Sequence, residues 1–471
     1  MASDLETQVE NEKPLPQLNS PLDSDLEEFK PKPHPQSSGY SIPFWRKCLI
    51  LFVVSWMTLA VTFSSTSLLP ATPEIANEFS TTSEILDVIN AGVLIAMGCS
   101  SFIWGPVTNV WGRRVAYNAA IIVLCACSAG TAASINLHMF IAMRLLSGFT
   151  GTFFMVAGQT IIADIFEPVV RGTAVGFMMV GSVSGPAIGI IVTYSQWRNI
   201  YWLQFGMTAL GLVLSLLFVP NLETKKENKP ARTISFILSM FNPLRIFGPF
   251  IYPNVFLCHF TCGLLSTFQY ALLTSARSIF DLRFNLTSPL VSGLFYLSPG
   301  IGFFIGSVLG GRLSDRAVRK WIVKRNGVRL PQDRLNSGLA TLFLVLPIGI
   351  LIYSWTLEEG VGGMPVPIIA AFFAAIGLMG SFNGLNTYSA EVMPHIRSEV
   401  ISGKYVVQYL FSAGSTAAVD PLIGAIGVGW TFTICVFFAL LGGVNVWIIT
   451  RWGVDMQRWV EGKFGIEAKP T

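Results

Sequence analysis

The chain has 471 residues, of which 52% are apolar and only 12% charged, and its formal net charge is +4. Its mean hydropathy is +0.57, whereas soluble domains carry about 25% charged residues. A water-soluble globule, and with it a soluble enzyme, is excluded, and a lipid bilayer becomes the expected partner in place of any nucleic acid.

Apolar stretches of about 20 residues can cross the hydrocarbon core as helices. Twelve are expected, at roughly 48–70, 85–107, 115–134, 139–163, 172–194, 199–220, 251–274, 288–310, 336–355, 366–388, 402–425 and 429–450. An all-α membrane protein of twelve transmembrane helices follows. It reads as a disordered tail (1–44), a six-helix bundle (45–220), a linker (221–250), a second six-helix bundle (251–450) and a short tail (451–471). The first tail holds eight acidic and three basic side chains, many prolines and no apolar core, a disordered composition. It also lacks the basic cluster and short apolar region of a signal peptide.

Span 1 contains Trp56 and Phe63 but no carboxylate, and Asp87 opens span 2. After span 2 comes GPVTNVWGRR, Gly105 to Arg114. Gly105 and Gly112 permit a tight turn and close helix approach. Arg113 and Arg114 are expected to grip carboxylates or helix C-terminal carbonyls of the other bundle. Arg144 lies about five residues inside span 4, where an unpaired cation is costly. Gly148, Gly151, Met155 and Gly158 share its helical face. Asp87 is the plainest ion partner for Arg144; the alternative is a guanidinium that snorkels to the interface.

ADIFEPVVR, Ala163 to Arg171, follows span 4, and AEVMPHIR, Ala390 to Arg397, follows span 10. Asp164, Arg171, Glu391 and Arg397 are therefore expected as exposed gate pairs, each worth little. Span 5 carries Gly181, Gly185 and Gly189 with Pro186, a spacing for close packing and a kink. Span 7 brings His259 near mid-membrane, and Asn285-Leu286-Thr287 before span 8 is a glycosylation sequon. GRLSDRAVRK, Gly311 to Lys320, echoes the loop after span 2: a glycine, Asp315 where the first copy has Asn109, then basic residues including Arg316. Asp420 lies near the outer end of span 11, either as a coupling group or, with Pro421, as a helix-end feature.

Basic residues accumulate on the cytoplasmic side. With both termini placed there, 27 of the 31 Lys and Arg fall on that side, counting Arg397 and Lys404 with the segment between spans 10 and 11. Arg198, Arg277 and Arg283 fall outside, and Arg144 lies within a span. All seven cysteines lie in spans, so no disulfide framework is expected.

Two echoing halves are the plan of transporters that rock about a central site. GPVTNVWGRR resembles the first signature loop of the major facilitator superfamily, RLLSGFTG (Arg144 to Gly151) its span-4 signature, and GSVSGPAIGI (Gly181 to Ile190) its antiporter signature. The last departs at Ile190, where a second glycine is usual. SLLPATPEIANEF (Ser67 to Phe79) and Trp197-Arg198 also resemble fungal twelve-span drug:proton antiporters. The resemblance covers about residues 45–455. It implies proton-driven efflux of a small organic molecule, multidrug or secondary-metabolite in class, by a plasma-membrane monomer.

The resemblance further implies that Arg144 takes part in proton transfer and that the fifth loop position, normally aspartate, belongs to a cytoplasmic latch. Asn109 would then make that latch asymmetric. Asp420, His259 and Asp87 are the candidate proton carriers. Spans 1, 4, 7 and 10 would line the cavity with Trp56, Phe63, Phe153, Met155, Phe256, His259, Phe260, Gln269, Tyr270, Phe382, Asn383 and Asn386. Aromatics with sparse amides suit a moderately apolar, uncharged or weakly acidic ligand. An organic acid or another small nutrient remains an alternative substrate, and a non-transporting receptor a further one. The sugar-carrier signatures do not stand after spans 6 and 12, where the chain reads PNLETKKENKP and RWGVDMQRW. No cofactor, metal or catalytic group is expected, since the four histidines form no ligand cluster and no G-x-x-x-x-G-K-[ST] loop occurs.

Overall fold

A computed structural model describes residues 42–67, 71–183, 196–218, 242–286 and 289–464. Residues 1–41 of the first expected tail, 465–471 of the second, most of the linker, and Gly185, Pro186 and Gly189 lie outside the described residues, as does Thr287 of the sequon; residues 451–464 of the second tail are helical. Every regular element among the described residues is helical. Lipid offers no water to backbone N–H and C=O groups, so each segment must satisfy its own.

In chain order the main helices are α1 (Phe44–Ser67), the short α2 (Thr72–Glu78), α3 (Ser83–Trp111), α4 (Arg113–Ala132), α5 (Leu137–Gly148), α6 (Gly151–Ile165), α7 (Pro168–Val183) and α8 (Arg198–Phe218). After the linker come α9 (Pro253–Phe284), α10 (Leu297–Lys324), α11 (Leu346–Glu359), α12 (Pro365–Glu391) and α13 (Arg397–Phe464). Among the described residues nine helices are long and apolar enough to cross a membrane, with α5 and α6 forming one such unit. The 68-residue α13 is broken at Gly427, whose φ is 84°. A single crossing needs about 20 residues, so α13 passes through the layer and returns. It also runs on through Pro421. Asp420 is therefore not at a helix end.

Local signals set the boundaries. Thr82 and Asn136 cap α3 and α5 by accepting hydrogen bonds from the Ile85 and Met139 amides. Gly112, with φ of 93°, closes α3 and opens α4, the turn for which its glycine is needed. Asn285 ends α9 in the left-handed conformation.

Helices before residue 218 pack mainly on one another, and so do those after residue 253; the two groups meet along a seam. There α3 lies against α13, and α7 lies against α10. The α7–α10 contact is close because both sides are glycine. A Cβ on Gly176 would stand 2.5 Å from the Ser307 carbonyl oxygen, and one on Gly311 2.5 Å from that of Gly172. Gly181, by contrast, faces Ser55 of α1 within its own group. The core around Tyr117, Phe154 and Met155 continues through Tyr270, Tyr405 and Tyr409, so side chains fill the seam. One end of the molecule bears Arg113, Arg171, Arg334 and Arg397 and is called the basic face below; α2 and Gly427 lie at the opposite face.

Candidate functional site

At the basic face the seam is closed by a buried charge network. Glu391, at the end of α12, accepts from Arg171 of α7 at 2.8 Å and from Arg334 at 2.7 and 2.8 Å; Arg329 is a further partner. The carboxylate side chain is 2% exposed and that of Arg171 4%. For Arg171 and Glu391 the expectation of an exposed, weak gate pair is therefore corrected, whereas Asp164 and Arg397 remain partly exposed. Buried ions cost several kcal/mol unless matched, and here two carboxylates answer the guanidinium groups. Arg334 reaches the second one, Asp315, at 2.9 Å.

Asp315 does more than pair. It accepts hydrogen bonds from the Gly172 and Thr173 amides and the Thr173 hydroxyl, at 2.7 to 2.9 Å. Gly172 and Thr173 are the fifth and sixth residues of α7, near the end of the helix whose dipole favours an anion. Asn109 stands at the corresponding place of the first half. It lines a pocket with Gly105, Ser398, Glu399 and Ser402 at the start of α13. Gly105 has no neighbour within 4 Å of an added Cβ, so close packing does not account for it.

The two arginines of the loop after span 2 stay within the first group of helices, contrary to expectation. Arg113 bridges Asp164 at 2.9 Å, and Arg114 donates to the Leu216 carbonyl at the end of α8 at 2.7 Å. The reach across the seam comes from Arg397, which binds the other Asp164 oxygen at 2.7 Å. Arg316 is exposed and joins none of the described ion pairs; Arg334, which the sequence did not single out, takes that place.

At the opposite face Arg277 of α9 clamps Glu74 of α2 with two hydrogen bonds of 3.0 Å. Glu78 holds both Trp197 and Arg198. Burial alone would raise the Glu78 carboxyl, but those two donors and the Arg198 charge hold it below its ordinary value. The seam is thus bridged at both ends among the described residues.

Between the two ends sit the polar groups. Arg144 is 1% exposed, donates to Asn90 at 3.1 Å and lies 5.6 Å from the Tyr201 ring centroid. It does not snorkel. Asp87, expected as its ion partner, lies beside Glu84 and Asp420, the latter across the seam on α13 and bonded by the Ser278 hydroxyl at 3.4 Å. His259 is wholly buried with its ring 5.1 Å from that of Phe250.

The expected cavity lining divides. Met155 accepts from the Tyr409 hydroxyl at 3.8 Å and Asn386 reaches Met179 at 3.3 Å, both across the seam, while the Tyr270 ring lies 6.4 Å from that of Tyr409 within the second group, in the core that continues across it. Gln269 is nearly buried on the same helix as Tyr270. Most of the others face elsewhere. Trp56 donates to the Met207 carbonyl at 2.9 Å, Phe63 lies in a core with Phe140 and Trp197, and Phe153 packs on Trp104. Phe256 is exposed and stacks on Phe260, and Phe382 belongs to the second group's interior. Asn383, by contrast, which donates to the Ser307 carbonyl, does reach the seam, its Nδ2 3.4 Å from where a Cβ on Gly176 would stand. Aromaticity alone could not tell a lining residue from a packing one.

Three seam groups were missed: Gln159, which donates to the Tyr405 hydroxyl at 2.6 Å; Tyr405 itself; and Lys404. Lys404 was counted among the basic-side loop charges, yet it is 0% exposed and donates to Asn386 Oδ1. Its position inside the stretch 402–425 was the available signal.

The family model of the Major Facilitator Superfamily matches residues 54–416. The chain is 26% identical over 451 residues to the MFS transporter eqxG of Fusarium heterosporum, covering 93% of this chain and 90% of that one. It is 23% identical over 438 residues to the efflux pump radE of Floropilus chiversii, covering 84% and 78%. Among solved structures it is similar to the human organic anion transporter MFSD10, with a TM-score of 0.68 at 16% identity over 86% of this chain and 100% of that one.

Proposed function

The chain belongs to the major facilitator superfamily and is an integral, multi-pass membrane transporter rather than an enzyme; from this we propose that it exports a small, moderately apolar organic compound by proton-coupled alternating access. In this reading twelve spans form two bundles of six, both termini are cytoplasmic, and the protein works as a plasma-membrane monomer. The basic face is then the cytoplasmic one.

The observation that carries the reading is the charge network at Glu391 and Asp315. It joins the two halves through contacts that exist only while that face is closed. A ligand or proton shifts such an equilibrium only through contacts that differ between states. Asp87 of α3 and Asp420 of α13 lie within reach of each other's charge near the opposite face, so a proton on either would relieve their repulsion and favour closure there. Arg144, buried in the same half of the layer, supplies positive charge that a proton-linked carboxylate can answer. Export by a relative named as an efflux pump is in keeping with this.

The test is uptake into inverted vesicles against a metabolite panel, with a pH gradient and with a proton ionophore. Gradient-driven uptake abolished by the ionophore is expected. Uptake that ignores the ionophore removes the antiport step, and no uptake of any panel member removes export.

A further inference from the structure

Lys404 has no role in the latch or in the proposed proton path. It lies seven residues beyond the first residue of α13, about 10 Å along the axis at 1.5 Å per residue. It is fully buried, and its Nζ is 3.4 Å from the Tyr405 ring centroid in addition to bonding Asn386. Neither partner is an anion, and no ion pair among the described residues includes Lys404. An ammonium withdrawn from water loses several kcal/mol of solvation, and an amide and a ring face return only part of it.

The surroundings lack the same thing. His259 packs against Gly403 with the Val400 backbone beside its ring, and no side chain among the described residues hydrogen-bonds its nitrogens. Gln159 Oε1 is unpaired too, but as an acceptor it lacks a donor and not an anion, while its NH2 group holds Tyr405. The described carboxylates lie toward the two ends: Glu391 and Asp315 in the latch, Asp87 and Asp420 near the opposite face. Lys404 is therefore a buried cation with no described carboxylate among its partners. Its two partners lead across the seam, Tyr405 to Gln159 and Asn386 to Met179.

Resting on the export reading, the geometry points to Lys404, with Asn386 and His259, as the seat of an organic anion: the carboxylate or sulfonate of a substrate whose apolar body lies along the seam. Parting of the Arg171–Glu391 contact would open this seat to the basic face. The ammonium gives the anion a charge-assisted hydrogen bond, and the imidazole N–H supplies a second.

The experiment uses the purified full chain in detergent and reads affinity from ligand-induced melting shifts. The probes are naphthoate, pyrenebutyrate and anilinonaphthalene sulfonate, set against methyl naphthoate and naphthylmethylammonium. Wild type is expected to favour the anions over the ester by about tenfold or more, the scale of one charged hydrogen bond. Lys404→Gln should bring that ratio near one, and Lys404→Arg should keep most of it. Melting without ligand shows that each variant is folded. Equal affinity for anion and ester in wild type, or a preference that survives Lys404→Gln, overturns the proposal. The vesicle assay separates the two readings. Flux of neutral or cationic compounds with no Lys404-dependent preference removes the anion seat and leaves export. Lys404-dependent anion binding without any flux removes export.

Discussion

Consider Arg171→Gln. Arg171 Nη1 bonds Glu391 across the seam at 2.8 Å, while Nη2 holds the Ala163 and Phe166 carbonyls of its own half at 2.8 and 3.3 Å. Glutamine keeps some hydrogen-bonding capacity toward those carbonyls but loses the charge. Glu391 retains Arg334 and Arg329, so the carboxylate is not left bare. The loss is then one charged hydrogen bond, about 1.5–3 kcal/mol, rather than the ~3–5 kcal/mol of a buried ion stripped of its partner. That loss falls on the closed state alone, so the ratio of closed to open at the basic face should drop by about ten- to a hundredfold. Spin labels at exposed Glu167 and Arg316, one in each half, would report this by pulsed electron-spin distance measurement in a cysteine-replaced background. A longer-distance population should appear or grow. An unchanged distribution, with the variant folded, would refute the assignment of this contact to a closed-state latch.

Asn109→Asp should act in the opposite sense, strengthening closure at the basic face by about 1 kcal/mol. Because Glu399 lines the same pocket, pairing the change with Glu399→Gln should enlarge the effect in the same distance measurement. Gly172→Ala puts a Cβ 2.6 Å from an Asp315 oxygen and 3.0 Å from the Gly311 carbonyl. It should shift the population toward opening there and lower the transport rate in vesicles more than it lowers the melting temperature. For Glu78 the sign is fixed by its lowered value: its contribution is complete above the ordinary carboxylate value of 4.5 and is lost as pH falls through the lowered one. Glu78→Gln should therefore flatten the acid side of the stability–pH profile, measured by thermal melting between neutral and acidic pH. Arg144→Lys keeps a charge but loses the planar fork that reaches Asn90 and Tyr201. It should impair proton-driven flux while leaving the protein folded, and full flux would remove Arg144 from the coupling path.

Hydropathy and charge bias made the all-helical membrane architecture legible. Those signals are sums over long stretches, and lipid tolerates few backbone solutions. The matching loops after spans 2 and 8, with the family resemblance, likewise pointed to Asp315 as a latch residue. The sequence could not say that Arg334 rather than Arg316 answers Asp315, because the two lie in different segments brought together only by packing. Trp56, Phe153, Phe256 and Phe382 were expected in a cavity on residue type and span number. Which side of a helix meets the seam depends on its rotation against several neighbours, and an all-apolar membrane helix has no polar face to announce it. Lys404 shows the same limit from the other side. Composition put a lysine near a helix start at the surface, whereas the approach of α12 buries it against Asn386. Length, charge and repetition decided what kind of molecule this is; which side chains share the space between its halves was decided by contact across the seam, since burial belongs to pairs of surfaces and not to positions in a chain.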